Sequence, residues 1–156
     1  VLGKTTSVTN GDQTDTIYDF LKAGKSIEDA LRTRTFEPDG PNWTPRISGV
    51  VNGDSYQLSI LKSAEGNPES TQRMFFDYNN EEPGFGHFIS TYKENGNPIP
   101  SFEGAPLKWE MVHEKFDQWS EHVWENLNED NKVSLFTRQI NIETGEYKTM
   151  IFNKNK

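Results

Sequence analysis

Two helix patterns between Asn10 and Arg46, each too short to be stable alone, constrain how this chain can fold more than any other stretch. The first sets Ile17, Phe20 and Leu21 at i, i+3, i+4 spacing. It lies behind Asp12 and Thr14, either of which could cap it, and ahead of Gly24 where a left-handed C′ residue belongs. The second opens at Ser26 with Asp29 three residues on and turns Ile27, Ala30 and Leu31 inward. Arg32 and Arg34 stand near its negative C-terminal end. Isolated helices shorter than about 12–15 residues are marginal in water, because the first turn costs more than it returns. Both must therefore lie on an apolar surface, and a sheet is the surface expected.

Strand signals for that sheet run along the rest of the chain. A β-branched strand over 1–9 closes at Asn10-Gly11, and strands over 46–51 and 56–62 are joined by Asn52-Gly53-Asp54, residues that tolerate positive φ. Strands over 71–78 and 85–92 follow, the latter with Phe85, His87, Ile89 and Thr91 on one face. The Gly- and Pro-rich stretch 93–107 is too long for a bare connector and reads as a lid or binding loop. A strand over 107–112 comes next, then a helix over 114–127 with Phe116, Trp119, Val123 and Leu127 inward. A last hairpin turns at Glu143-Thr144-Gly145.

With 156 residues the chain has the size of one ordinary domain, and it opens at Val1 in mid-strand without a Met. The expectation is a single domain over 1–156 that lacks an N-terminal segment of its parent protein. A formal net charge of -8 with scattered Lys and Arg argues against nucleic acid or an anionic membrane as partner. No apolar run reaches the ~18 residues of a membrane span, and a cytoplasmic protein is expected. There is no Cys, and His87, His113 and His122 have no ligand spacing, so no metal or other cofactor is expected. His113 and His122 read as surface residues and His87 as a hydrogen-bonded strand residue. The Asn42-Trp43-Thr44 glycosylation pattern has no secretory signal before it and is discounted.

Three motifs in order, Asn10-Gly11-Asp12-Gln13-Thr14-Asp15-Thr16-Ile17, Thr44-Pro45-Arg46-Ile47 and Ile89-Ser90-Thr91-Tyr92, carry a family resemblance. The sequence resembles the archaeal-type IMP cyclohydrolase family. The stretch Thr91-Tyr92-Lys93-Glu94-Asn95-Gly96-Asn97-Pro98-Ile99-Pro100-Ser101-Phe102-Glu103-Gly104 is similar to its bacterial branch. Nothing after about Leu107 matches. The resemblance implies an α+β, Ntn-hydrolase-like fold: a layered αββα sandwich of mainly antiparallel sheets with flanking helices. It implies closure of the purine ring of 5-formamidoimidazole-4-carboxamide ribonucleotide to IMP with loss of water, on a purine nucleotide substrate and without metal or cofactor. It also implies an Arg and a Tyr supplied from a preceding segment, so a homo-oligomer and association with that missing N-terminal segment both stay open.

Ring closure needs a proton removed from the carboxamide nitrogen, a stabilised formyl oxygen and a departing water, which one positioned acid/base group can serve. The resemblance places Glu37 in that role, against the plainer reading of a solvated carboxylate in a Glu-Pro-Asp-Gly turn. It places Asn10 as carboxamide or oxyanion partner, against an Asx turn before a helix. Arg46, stiffened by Pro45 at the start of a strand, is read as an anion anchor or as a salt-bridge partner of an acid. Thr14 is read as a cap or as a phosphate or ribose contact. Tyr92 is read as a cover for the base or as packing at a strand end. A non-catalytic nucleotide-binding relative, or an assembly subunit with an incomplete site, would keep the same turns. An unrelated hydrolase using Glu37 and Asp39 is a third alternative.

Overall fold

The computed structural model describes residues 1–112 and 115–155, and the chain divides into two compact units. The first comprises Val1–Glu81 and His87–Lys108, the second Glu82–Gly86 and Trp109–Lys156. The architecture is α+β with antiparallel sheets.

In the first unit, β1 (Thr5–Thr9), β2 (Arg46–Asn52), β3 (Ser55–Ala64) and β4 (Asn67–Asn79) form a four-stranded antiparallel sheet in the order β1-β2-β3-β4. Between β1 and β2 the chain makes helices α1 (Gln13–Lys22) and α2 (Ile27–Arg32). These lie on one sheet face, as their length requires: Ile17, Ile27, Ala30 and Leu31 form a buried cluster with Val50 and Leu61, and Phe20, Leu21 and Phe75 pack around it. The β2–β3 register sets Ser48 opposite Ser59 and Arg46 opposite Leu61, so the alternation that buries Val50 also carries Arg46 and both serines inward.

Local signals end these elements much as the sequence suggests. The Ser26 Oγ accepts from Asp29 N at 3.1 Å and Asp29 Oδ2 accepts from Ser26 N at 3.3 Å, a reciprocal capping box. Gly24 takes φ +74 after α1, where Lys25 N reaches Phe20 O at 2.9 Å and Gly24 N reaches Leu21 O at 3.0 Å, the paired bonds of a Schellman motif. Neither expected cap of α1 acts as one. Asp12 holds the N-cap position without a side-chain cap bond, and Thr14 Oγ1 donates back to Gly11 O at 2.9 Å.

Strand bounds differ from expectation where long-range partners intervene. Residues 1–4 form a turn closed by a Leu2–Thr5 bridge, so β1 starts at Thr5. β4 begins earlier than expected because Glu65 and Gly66, at φ 54 and 76, make a tight turn straight out of β3. β5 (Phe85–Phe88), paired with β6 (Leu107–Glu110), stops short of Tyr92. Beyond it Thr91 O accepts from Phe102 N at 3.2 Å, Lys93 N donates to Pro100 O at 2.9 Å, and Tyr92 bridges Ser101. The long loop is thus folded back on itself, with Phe102 buried at its base.

The second unit sets α3 (Phe116–Asn126) on a hairpin of β7 (Ser134–Ile140) and β8 (Tyr147–Asn153). Ser120 and Thr137 hydroxyls meet at 2.8 Å, and Trp124 stacks on Phe152 at 5.9 Å under the Lys132 ammonium. Val123 is buried, while Phe116, Trp119 and Leu127 are half-buried. The hairpin turn closes on Asn141 Oδ1, which accepts from Glu143 N and Thr144 N, with Gly145 at φ 77. His122 is half-buried on α3; His113 and Glu114, the expected helix start, lie outside the described residues. Among the described residues no helix is long and apolar enough to cross a membrane.

Replacing Ser26 by Ala removes the Oγ acceptor of the Asp29 N–H and leaves the backbone bond to Asp29 Oδ2 in place. It is expected to destabilise the protein by about 1 kcal/mol, read as a lower urea midpoint at unchanged slope.

Candidate active site

At the C-terminal end of β1 the chain must turn sharply, and Asn10 organises that turn with every hydrogen-bonding valence of its amide. Its Oδ1 accepts from Ile47 N at 2.9 Å and from Gln13 Nε2 at 3.2 Å. Its Nδ2 donates to Pro45 O at 2.9 Å and to Thr91 Oγ1 at 3.3 Å. One side chain so ties the start of α1, the start of β2 and the segment after β5. Gln13, fully buried in the first turn of α1, also donates to Ile47 O at 3.1 Å.

Arg46 enters the same place from β2. Its side chain is only 8% exposed, and its guanidinium forks onto Glu37, with Nη2 to Oε2 at 3.0 Å and Nη1 to Oε1 at 2.7 Å. Nη1 also contacts Asp12 Oδ1, and Gln13 Oε1 at 3.2 Å. Bidentate pairing fixes the direction of a carboxylate as well as its position. Glu37 is 33% exposed, so it presents an open edge to solvent while its other side is held. Asp12 is also bound by Arg34 Nη2 at 2.5 Å. The Arg34 hydrogen bond, joined by the Arg46 charge and opposed by some desolvation, holds the Asp12 carboxyl below the usual carboxylate range.

Gly11 lets these groups converge. A Cβ there would stand 2.7 Å from Gln13 Oε1 and 2.9 Å from both Arg46 Nη1 and Glu37 Oε1, so the absence of a side chain is a requirement of close approach. Beside the cluster, Asp39 accepts from Thr44 N at 2.7 Å and from the Thr44 hydroxyl, which meets the Tyr92 hydroxyl at 2.6 Å. The Asp39 carboxylate is therefore committed to its own loop.

The profile of a family described as IMP cyclohydrolase-like protein matches residues 1–145. The chain belongs to that family. The IMP cyclohydrolase of Methanopyrus kandleri is 30% identical over 118 residues, which cover 62% of this chain and 55% of that protein. The IMP cyclohydrolase of Methanothrix thermoacetophila is 32% identical over 102 residues, covering 63% of this chain and 47% of that protein. The chain spans about half the length of the curated relatives it matches. The IMP cyclohydrolase-like match runs past 107, where sequence reading found nothing, into the turn after β7.

Within this IMP cyclohydrolase-like chain, Glu37 and Arg46 come together against Gly11, Asn10 is linked to them through Gln13, which bonds both Asn10 and Arg46, and Thr14 has its hydroxyl against that of Thr9. Tyr92 reaches the loop through Thr44 rather than the cluster itself. Arg46 is paired with the protein's own acids. Sequence reading missed Gln13 and Arg34: Gln13 lies three residues after Asn10, a spacing that would have flagged it, whereas the Asp12–Arg34 pair has no local signature. His87 meets the Tyr56 hydroxyl at 2.6 Å and stacks on Tyr78 at 3.8 Å, the hydrogen-bonded strand residue expected.

Two outcomes follow from the cluster. Because its pKa is depressed in the fold, Asp12 contributes stability above the ordinary aspartate pKa of ~3.9 and loses it as pH falls further. Asp12→Asn should thus lower the urea midpoint near pH ~7, and the difference from the parent should shrink as pH falls below ~3.9. Gly11→Ala should cost about 1–3 kcal/mol by overpacking a set of atoms that hold one another in place, measured by the same unfolding curves.

Proposed function

We propose that this chain carries the ring-closing site of an IMP cyclohydrolase, converting 5-formamidoimidazole-4-carboxamide ribonucleotide to IMP and water. The observation that carries the reading is the Glu37 carboxylate, one-third exposed, gripped by Arg46 and lying against the backbone at Gly11. The carboxamide nitrogen attacks the formyl carbon, and Glu37 takes the proton that leaves nitrogen. Glu37 passes that proton to the formyl oxygen, which becomes a hydroxyl, then takes the remaining proton of the formamide nitrogen and gives it to the hydroxyl, which departs as water as the C–N double bond of the ring forms. One group so placed serves both proton transfers.

Asn10 supports the developing oxyanion by exchanging its longest bond, the 3.3 Å donation to Thr91 Oγ1, for the formyl oxygen. Arg46 fixes the direction of Glu37 rather than holding a substrate anion. Thr14, its hydroxyl engaged by Thr9 and Gly11 O, supports the margin of the cluster, and Tyr92, pinned at its hydroxyl by Thr44, covers the base. The finer fold belongs to the same proposal: with α1 and α2 on one face and Val8, Ile47, Leu58 and Met74 on the other, the four-stranded sheet suits one half of a layered αββα sandwich. A cytoplasmic location fits a purine-nucleotide enzyme.

A nucleotide-binding relative without turnover is the alternative. It is favoured by the saturation of Asn10, whose four bonds need no ligand. Turnover decides between them. In the natural protein carrying this chain, Glu37→Gln should lower kcat for IMP formation at least tenfold, ~1.4 kcal/mol of barrier, with the fold retained. Turnover unchanged by that substitution would contradict the assignment of Glu37, and a folded protein with no turnover would favour the binding relative.

A further inference from the structure

Outside the Glu37 cluster the first unit contains a cavity of ≈ 420 Å³ whose lining includes none of Asn10, Glu37, Arg46 or Tyr92. Its walls are the loop at Asn42 and Trp43, the folded-back loop at Ile99 and Ser101, and the β3–β4 end at Lys62 and Gln72. The two loops are locked together, since Asn42 Oδ1 accepts from Ile99 N at 3.1 Å. Trp43 sits at φ +46, a left-handed conformation that is unfavourable for a bulky residue, with its ring edge-on to Phe36 at 6.0 Å and against Gly40. The walls are thus fixed rather than collapsible.

Lys62 stands out among the lining residues. Its side chain is 11% exposed, yet its ammonium, with three donors, has one hydrogen-bond acceptor among the described residues, Phe102 O at 3.3 Å. The Glu103 carboxylate is 3.9 Å away, beyond the 2.7–2.9 Å of a charge-assisted bond, and is 68% exposed. Burying a cation so thinly partnered is costly unless something else meets it. Glu65 and Glu103 are at the solvent-exposed rim, where water screens them, whereas Lys62 acts from within. The cavity therefore favours an anionic group deep and hydroxyl groups at the rim. Tyr92 touches both loops that wall the cavity: its hydroxyl bonds Thr44, next to Trp43, and its backbone bridges Ser101.

We propose that this cavity receives the phosphorylated ribose end of the nucleotide, with Lys62 as the phosphate anchor. The proposal rests on the ring-closing reading for its ligand, and it gives the site an anion holder that Arg46, engaged by Glu37 and Asp12, does not supply. Gln72 lies directly opposite Lys62 in the β3–β4 register and is exposed, so a charge introduced there reaches the cavity without disturbing the core.

Calorimetric titration of the natural protein with IMP, inosine and ribose 5-phosphate tests this. IMP should bind at least tenfold tighter than inosine. Lys62→Met and Gln72→Glu should each remove most of that margin, Lys62→Arg should restore part of it, and Glu103→Gln should widen it. Equal binding of IMP and inosine, or a margin that survives in folded Lys62→Met or in Gln72→Glu, overturns the proposal. If neither IMP nor inosine binds, the ring-closing reading fails, and ribose 5-phosphate decides the cavity alone: Lys62-dependent binding sustains the anchor, and none overturns it.

Discussion

A buried guanidinium sets the terms for the first unit. Arg46 opens β2 with its side chain on the helix-facing side of the sheet, where a charge is tolerable only if acceptors come to it. Three come from different parts of the chain: Asp12 just before α1, Gln13 within its first turn, and Glu37 in the loop that follows α2. Satisfying one side chain thus draws the start of α1 and the 36–45 loop onto the start of β2. The Nε of Arg46 is buried without a partner among the described residues, so the fold accepts one unmet donor to obtain the fork on Glu37.

Asn10 completes that constraint from the backbone side. By accepting from Ile47 N and donating to Pro45 O, it fixes the strand at whose first position Arg46 sits, and by donating to Thr91 it fixes the segment that ends at Tyr92. The structural and chemical readings of such a residue coincide here. An amide that holds four groups in place is already oriented, and only its longest bond needs to change for it to meet a substrate oxygen.

Much of the first unit was legible because its signals are local. The capping box at Ser26 and Asp29, the left-handed Gly24 and the hairpin at Gly53 each depend on a few consecutive residues, and the structure has all three. The cap of α1 was misread because Asp12 is drawn away by Arg34 and Arg46, which are 22 and 34 positions on in sequence (34 − 12 and 46 − 12). The strand at 85–92 was overextended for the same reason. Its alternation continues through Thr91, but the partners of Thr91 and Tyr92 are Phe102, Ser101 and Asn10 rather than a neighbouring strand. In the candidate site, residue types and order were readable, whereas a salt bridge from Arg46 to an unspecified acid was one of two open readings. Choosing between them required knowing which acid the loop brings within reach.

The claim on which this account turns is that Arg46 and Glu37 act as one unit. A double-mutant cycle of Arg46→Met and Glu37→Gln on the free energy of unfolding measures it most directly. The account predicts a coupling energy of about 1 kcal/mol or more, with the double variant less destabilised than the two single variants together. Additivity within ~0.5 kcal/mol would contradict it, because the fork would then hold nothing in place.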